Sequence, residues 1–369
     1  METINVLLDP NHKQYRISKD SKITEKRKSN IMIRQVKYLF PNYDIMYKNI
    51  QDVDNIKNWV FPLELAFVED ITNIKDFISL VPSVVLRQFL NKKGTLLFII
   101  RENILDTDIK AIQDSINNSY MSKHIILLSN HKDYGNFKYW ATFPHHIDSF
   151  SVDNRSIDLK NDNCEFVHEY NKRRFCCFMQ HYADNPERKY LLSFLEKYNL
   201  LDEGFISVKN NGKDFNNTGI GGYSFISYNS VFNDLDIATT INNSYINIIP
   251  EGNFTHRESQ FITEKSIRSF LYKKPFIIMN RQYDLKYIRS MGYKTFSPII
   301  DESYDSIYSH SSRMVAICME IKRLMNKSFT DFKKDMEQLE DVCNYNYGIY
   351  LNNKNKLENY LYDKITKNY

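Results

Sequence analysis

The sequence predicts an α/β protein with two doubly wound domains that face each other across a cleft, followed by a helical C-terminal tail. Strand-like apolar runs alternate with helix-like runs in both halves, which is typical of parallel sheets covered on both faces. A polar segment without periodicity, residues 148–163, separates the two halves. The chain has 369 residues, which is enough for two hydrophobic cores.

The first half alternates strands and helices in the order that a parallel sheet requires. Residues 4–8 form the first predicted strand, and residues 32–41 a helix whose apolar positions recur every three or four residues. A helix at 79–94 ends at Gly94, directly before a buried strand at 95–100. The other elements are an apolar run at 63–70, a helix at 106–118 and a strand at 124–130.

The second half repeats this pattern and ends in helices. The segment 209–223 contains GIGG but lacks the spacing of a phosphate-binding loop, so we expect a flexible loop there. Gly292 ends the last helix before the tail. The predicted strands are 173–180, 205–208, 244–251 and 275–280, and the predicted helices are 187–201, 263–273 and 284–292.

Composition and cysteine spacing argue against a disulfide-rich protein, a zinc-binding protein and a membrane-spanning protein. The formal net charge is +4, which neither requires nor excludes a polyanionic partner. The five cysteines include no CxxC pair, so neither a disulfide framework nor a zinc site is indicated. Cys176 and Cys177 lie in an apolar strand and are predicted core residues. No apolar stretch reaches about 18 residues, so we expect a cytoplasmic protein without a membrane span.

The stretch FITEKSIRSFLYKKPFIIMN places a carboxylate and an ammonium side by side at a helix start. The preceding strand delivers Glu251 to the carboxyl edge of the sheet, where ligands of such sheets bind. Thr263 is the predicted N-cap. The free N–H groups of the helix start, together with Lys265, suit a pyrophosphate, and Glu264 could accept hydrogen bonds from a ribose. Alternatively, Glu264 complements the helix dipole and Lys265 is a solvated charge.

These residues carry a resemblance to a known family. The runs NIIPEGN, FITEKSIRSFL and KKPFIIMN resemble the nucleotide-binding domain of α-1,3-fucosyltransferases. The later runs LKYIRSMGYKTF and DESYD, followed by Arg313, resemble glycosyltransferase-like proteins of large DNA viruses and phages. The resemblance covers about residues 170–325. It implies the GT-B fold, in which two Rossmann-like domains bind a nucleotide sugar.

The resemblance also implies roles for individual residues. Lys265 would contact the pyrophosphate of the donor and Glu264 its ribose. Arg188, at the start of the first helix of the second domain, would bind phosphate, with Arg174 and Lys189 as alternatives. An Arg suits this role because its fork grips two phosphate oxygens. The donor would be linked to GDP or UDP, and no cofactor is expected.

The domain boundaries follow from the same pattern. We expect an N-terminal, acceptor-side domain at 1–163 and a C-terminal domain that binds the nucleotide sugar at 164–330. The tail, 331–369, is predicted to pack back on the N-terminal domain, as the last helix of the two-lobed fold commonly does.

Three acidic residues of DESYD, namely Asp301, Glu302 and Asp305, could be taken for a metal-binding cluster. The resemblance argues against a metal, because two-lobed glycosyltransferases of this kind generally work without one. We therefore expect these acids to cap the following helix and to hold the interface between the lobes.

An inverting transfer needs a base that takes the proton of the acceptor hydroxyl. Retaining enzymes of the two-lobed fold often carry two Glu residues eight apart, but the position eight after Glu251 is Ser259, so inversion is favoured. Each candidate base could also be an ordinary surface or capping residue. The candidates, in order, are Glu102, Glu69 and then the pair His145 and His146.

The sequence thus predicts a metal-independent, inverting glycosyltransferase that transfers a sugar to a hydroxyl acceptor. The acceptor would be a glycan, a glycoprotein or a hydroxymethylated base of viral DNA. The DNA alternative would use the KRR run at 172–174 with Lys13, Arg16, Lys19 and Lys22. Two other functions are open: a catalytically silent module that binds glycans or proteins, and a nucleotide-sugar epimerase of the same architecture.

Overall fold

The chain folds into two compact units. Met1–Ser151 and Asn353–Tyr369 form the first unit, and Val152–Asn352 form the second, whereas the sequence suggested boundaries at 163 and 330. The computed structural model describes residues 3–8, 13–17, 23–28, 43–50, 56, 59–65, 81–90, 94–100, 124–129, 140–142, 172–179, 185–210, 213–214, 240–251, 262 and 264–367.

A parallel sheet forms the first unit. Its strand order is β4-β1-β5-β6-β7-β8, and every pairing is parallel, with Val6 between Tyr47 and Val60. The strands β2 and β3 form a separate antiparallel hairpin. The elements are β1 (Thr3–Leu8), β2 (Lys13–Ile17), β3 (Ile23–Lys28), β4 (Asp44–Asn49), β5 (Trp59–Leu65), α1 (Ser83–Leu90), β6 (Thr95–Ile100), β7 (Ile125–Ser129) and β8 (Trp140–Thr142).

Apolar sequence runs predicted the central strands of this sheet correctly. The predictions at 4–8, 95–100 and 124–130 are confirmed by β1, β6 and β7. Gly94 has a φ of 81°, and a Cβ there would overlap the ring of Trp59, so only glycine fits. The predicted helices at 32–41 and 106–118 and the polar segment at 148–163 lie outside the described residues.

The core of the first unit includes residues from the C-terminal end of the chain. Leu361 and Ile365 are fully buried against Ile4, Val6 and Leu97 of the sheet. Burial of apolar side chains is the main favourable contribution to folding. The last residues of the chain therefore stabilise the unit with which the chain begins.

The second unit is built on a sheet with the order β11-β10-β9-β12-β13. All pairings are parallel except that of the edge strand β11. In the sheet Cys177 lies between Ile206 and Ile248. The elements are β9 (Arg173–Met179), α2 (Pro186–Lys197), β10 (Gly204–Asn210), β11 (Lys213–Asp214), β12 (Ser244–Pro250), α3 (Glu264–Leu271), β13 (Phe276–Met279), α4 (Asp284–Ser290), α5 (His310–Met325), α6 (Phe329–Glu337) and α7 (Glu340–Lys367).

The strand order makes this unit doubly wound. The chain enters in the middle at β9, moves outwards to β10 and returns to the other side through β12 and β13. The order therefore reverses between β9 and β12, and in open α/β sheets ligands bind outside the carboxyl ends of the strands at such a switch point. The predicted α/β class and helical C-terminal segment are confirmed.

One local prediction in this unit is wrong. The segment 209–223 was expected to be a flexible loop, but β10 continues to Asn210 and Lys213–Asp214 pair back on it as an antiparallel strand. Backbone pairing between β10 and β11 therefore forms in a polar sequence that has no alternation. The rest of this segment lies outside the described residues.

Aromatic packing explains the run GYKTF. The ring of Tyr293 stacks on Phe270 of α3 with centroids 4.0 Å apart. Phe296 meets Phe276 of β13 edge to face at 4.9 Å. All four side chains are buried, and aromatic pairs of this geometry stabilise a core beyond their buried area. The run therefore packs the α3 side of the sheet.

The C-terminal helices follow the second sheet. Residues of α7 up to Asn352 belong to the second unit, and those from Asn353 belong to the first. Within the described part of the chain, no helix has both the length and the apolar character needed to cross a membrane.

Candidate functional site

The strand β12 carries Glu251 to the carboxyl edge of the sheet. Its backbone N–H donates to the carbonyl of Met279 at the end of β13, at 3.1 Å. Its Oε1 accepts a hydrogen bond of 2.7 Å from the hydroxyl of Ser266, and the residue is 2% exposed. The carboxylate is thus held in place by the first turn of α3, and the role of Glu251 in lining the donor site stays a prediction.

Lys265 lies beside this carboxylate. It is the second residue of α3, and its Nζ is 4.0 Å from Oε2 of Glu251, with 15% of the side chain exposed. Ser266 binds the other oxygen of the same carboxylate. Two consecutive residues of the first turn of α3 are thus tied to the end of β12, which fixes the direction in which the helix starts.

Arg188 reaches the same point from α2. Asn185 caps this helix by accepting from the backbone N–H of Arg188 at 3.0 Å, and Pro186 occupies the first helical position, where its missing donor costs nothing. The guanidinium donates to the carbonyl of Pro250 through Nε at 3.3 Å and Nη2 at 2.9 Å. Arg188 is 3% exposed, so it is not an ordinary surface charge.

These three side chains meet at the junction of Pro250 and Glu251. Arg188 follows β9 and Glu251 follows β12, which are the two strands that flank the switch point. The cations predicted from sequence therefore converge at the place where an open α/β sheet binds ligands. Their roles toward a ligand stay predictions.

Other predicted residues lie elsewhere or outside the described residues. Arg174 is at the start of β9, the opposite edge of the sheet, where its Nε is 2.7 Å from a carboxylate oxygen of Glu203. Lys189 is exposed on α2. Glu264 begins α3, and its side chain is outside the described part. Also outside it are Glu69, Glu102, His145, His146, Ser259 and Thr263.

A buried ionic cluster next to Glu251 was missed by the sequence analysis. Asp284 is fully buried and accepts a hydrogen bond of 2.8 Å from the backbone N–H of Arg281. Burial raises the pKa of Asp284 well above its ordinary value, against the opposing charge of Arg281, and the nearby charge of Glu251 adds to the rise. Burial likewise lowers the pKa of Arg281. The sequence did contain a signal, because the charged run RQYD directly follows the predicted strand 275–280.

Glu302 and Asp305 of DESYD accept hydrogen bonds from nearby backbone N–H groups. Glu302 accepts from the backbone N–H of Phe296 at 2.6 Å and from the Thr295 hydroxyl at 2.7 Å. Asp305 accepts from two backbone N–H groups at the start of α4. The expected cap of the following helix is wrong, because Ser309 caps α5. Among the described residues no group of His, Cys, Asp or Glu is arranged to hold a metal ion.

The site combines positive charge with the start of a helix. A helix start carries unsatisfied N–H groups and a partial positive charge. Lys265 adds a full charge in its first turn, and Glu251 beneath it is committed to Ser266. Such an arrangement can hold an anion and can stabilise negative charge as it develops on a leaving group.

Comparison with known proteins gives likenesses to solved structures alone. No protein-family model matches the chain, and a search of curated proteins found no match. The chain is similar to an α-1,3-fucosyltransferase crystallised with GDP-fucose, at 13% identity and a TM-score of 0.42, over 91% of this chain and 80% of that chain.

Two further likenesses involve trehalose-phosphate proteins. One is the N-terminal domain of trehalose-6-phosphate phosphatase from Candida albicans, at 9% identity and a TM-score of 0.43, over 99% of this chain and 96% of that chain. The other is an E. coli structure described as trehalose-6-phosphate bound with UDP-2-fluoro glucose, at 6% identity and a TM-score of 0.42, over 99% of each chain. Values this low assign no residue of this chain a role.

Proposed function

We propose that this protein is a GT-B glycosyltransferase that moves a sugar from a GDP- or UDP-linked donor to a hydroxyl acceptor, with inversion and without a metal. The observation that supports it most is the position of Lys265, in the first turn of α3 and 4.0 Å from Glu251, at the carboxyl edge of a doubly wound sheet. Such a helix start attracts the diphosphate of a nucleotide.

In the proposed reaction, the acceptor oxygen attacks the anomeric carbon while the bond from that carbon to the diphosphate oxygen breaks. Lys265 stabilises the negative charge that develops on the leaving diphosphate, which is the role a metal has in other enzymes. Glu264 holds the ribose, and Glu251 orients Lys265. The acceptor proton passes to a base, for which Glu102 and then Glu69 are the candidates.

The phosphate role of Arg188 competes with a structural one. Two of its donors are bound to the carbonyl of Pro250. This observation favours the second candidate function, a catalytically silent module that keeps the fold and binds glycans or proteins. The two functions differ in whether a nucleoside diphosphate binds and whether a sugar is transferred.

The acceptor we favour is a glycan or glycoprotein rather than modified viral DNA. A basic groove would need the KRR run, but its members are used within the second unit. Lys172 lies 4.1 Å above the ring of Tyr245, Arg173 donates to the Asp202 carbonyl, and Arg174 pairs with Glu203. The side chains of Lys13, Arg16, Lys19 and Lys22 lie outside the described part of the chain.

A thermal-shift titration of the full chain with GDP, UDP, CMP and their sugars tests the proposal. We expect one nucleotide to raise the unfolding temperature, and Lys265→Ala to lose about 90% or more of its affinity, because a charged hydrogen bond to phosphate is removed. The matched control is Lys334→Ala, which removes an equal charge from the exposed face of α6.

Arg188→Met and a transfer assay separate the remaining alternatives. If Arg188 binds phosphate, the variant weakens nucleotide binding beyond its effect on stability. Release of the diphosphate in the presence of a glycan acceptor, unchanged by EDTA, supports the enzyme. Binding of a nucleotide sugar without release of its sugar to any acceptor supports the silent module, and no binding of any nucleotide contradicts the proposal.

A further inference from the structure

The helix α3 carries a second, buried cation one turn beyond Lys265. Arg268 is 4% exposed, and its Nε atom is fully enclosed. Within the part of the chain that the structure describes, this Nε makes no hydrogen bond. A guanidinium stays charged in proteins, and buried charges are normally paired. Arg268 is therefore an unusual residue for a structural core.

The surroundings of Arg268 show where a partner could bind. The residue lines a small cavity that is partly open to solvent, and Pro250 and Lys265 at the carboxyl edge line the same cavity. The other walls include Phe178, Asn247 and Ile249. Among the described residues that line it, none is acidic. The cavity thus has two cations and no carboxylate on its walls.

We propose that Lys265 and Arg268 together bind a phosphate group of the donor, with Arg268 as the inner ligand of the cavity. A pyrophosphate offers adjacent oxygens to both cations, since residues three apart lie on one face of a helix. The Arg fork can bind two of these oxygens at once. The inference rests on the proposed function, because it takes the anion to be the diphosphate of a nucleotide sugar.

Burial of Arg268 strengthens its interaction with a phosphate group, because a charge pair is weakly screened where water is excluded.

The test compares two variants in the full chain, with pyrophosphate, GDP, UDP and GMP as probes. We expect Arg268→Met to weaken pyrophosphate and diphosphate binding about tenfold or more, and Arg268→Lys to weaken it less, because the charge is kept and the fork is lost. Lys334→Met is the control of equal charge change. The affinities are measured by isothermal titration calorimetry.

A second measurement separates a ligand from a structural residue. Because the buried Nε of Arg268 makes no hydrogen bond in the ligand-free protein, its loss of hydration is not compensated, so we expect Arg268→Met to raise the unfolding temperature while it weakens pyrophosphate binding. A structural arginine would give the reverse, a lower unfolding temperature with unchanged affinity. If Arg268→Met does not fold, the inference is overturned, because the guanidinium then stabilises the core.

The outcomes distinguish this inference from the proposed function. Binding of GDP or UDP that depends on Lys265 but changes less than twofold in Arg268→Met overturns the inference and leaves the function standing. Binding of pyrophosphate that depends on Arg268, without binding of any nucleotide, supports the anion site and contradicts the function. No binding of any probe overturns both.

Discussion

At the scale of single residues, burial decides how a charge behaves in the second unit. Lys274 donates to the carbonyl of Ser244 at 2.8 Å, and burial, with the nearby charge of Lys172, lowers its pKa from 10.5 to about 8. At a pH between about 8 and 10.5, Lys274 is therefore protonated in the unfolded chain and deprotonated in the folded chain. The free energy of unfolding therefore rises with pH from about 8 to 10.5, by ~3 kcal/mol in total.

Urea unfolding of the wild type and of Lys274→Met at pH 7, 8, 9 and 10 measures this contribution. The difference between the two free energies of unfolding should become more favourable to the wild type as pH rises, and should be flat below pH 7. Taking the difference is necessary because burial raises the pKa of the Cys176 and Cys343 thiols to about 12, which gives a slope of opposite sign. A difference that stays constant contradicts the lowered pKa.

The sequence allowed prediction of the site residues that lie at the end of a strand or at the start of a helix. The topology of a parallel sheet brings such residues to the same edge. Glu251 and Lys265 meet because a parallel strand and the next helix share one edge of the sheet. Arg268 and Asp284 were missed because burial is predicted from apolar residues, and these two buried residues are charged. The sequence also could not show that the guanidinium of Arg188 would be bound to a carbonyl, since backbone partners leave no trace in the sequence.

At the scale of elements, the start of α4 is stabilised from a distant part of the chain. Tyr283 precedes the helix in the left-handed region, with a φ of 69° and no side-chain cap. Asp305 takes the place of a cap by accepting from the N–H groups of Leu285 at 2.9 Å and Lys286 at 3.0 Å. The run DESYD thus joins α4 to the segment before α5.

Asp305→Ala should lower the free energy of unfolding by about 2 kcal/mol, the upper range for loss of a helix cap, because two backbone N–H groups, one buried and one partly buried, lose their acceptor. Asp301→Ala is the control, since Asp301 is exposed and accepts from Ser303 within its own turn. Its expected effect is within about 0.5 kcal/mol. Both are measured by urea unfolding at pH 7, and equal losses in the two variants contradict this role.

Helices and strands could be predicted from the sequence where most of their side chains are apolar and buried. The strands β9, β12 and β13 are buried over most or all of their length and were found. The hairpin β2–β3 was missed because its sequences, KQYRI and ITEKRK, are rich in charge, and the edge strand β4 was missed because most of its side chains are exposed or half-buried. These strands are held by backbone hydrogen bonds, and backbone hydrogen bonds leave no pattern in the side chains of the sequence.

At the scale of the whole molecule, the last helix serves two cores. Before Asn353, α7 belongs to the second unit, where Tyr350 is buried. Beyond it, Leu361 and Ile365 pack into the sheet of the first unit. The aromatic and apolar residues of the tail predicted that the C-terminal helix packs on the N-terminal domain. The residue of α7 at which the second unit ends and the first begins depends on tertiary contacts, which the local sequence does not show.

The two units carry separate natural probes. Both tryptophans, Trp59 and Trp140, lie in the first unit, and all five cysteines lie between residues 152 and 352, in the second. The four cysteines that the structure describes are buried. Tryptophan fluorescence therefore follows the unfolding of the first unit, and labelling of these thiols follows the second.

Leu361→Ala should destabilise the first unit by about 2–5 kcal/mol, because it leaves a cavity in a core that cannot fully close. Its tryptophan transition in urea should shift to lower concentration by more than its thiol-labelling transition. Ile317→Ala, which opens a cavity in the buried face of α5 in the second unit, should show the reverse. If each variant shifts both transitions equally, α7 couples the two cores so strongly that the chain unfolds as a single cooperative unit.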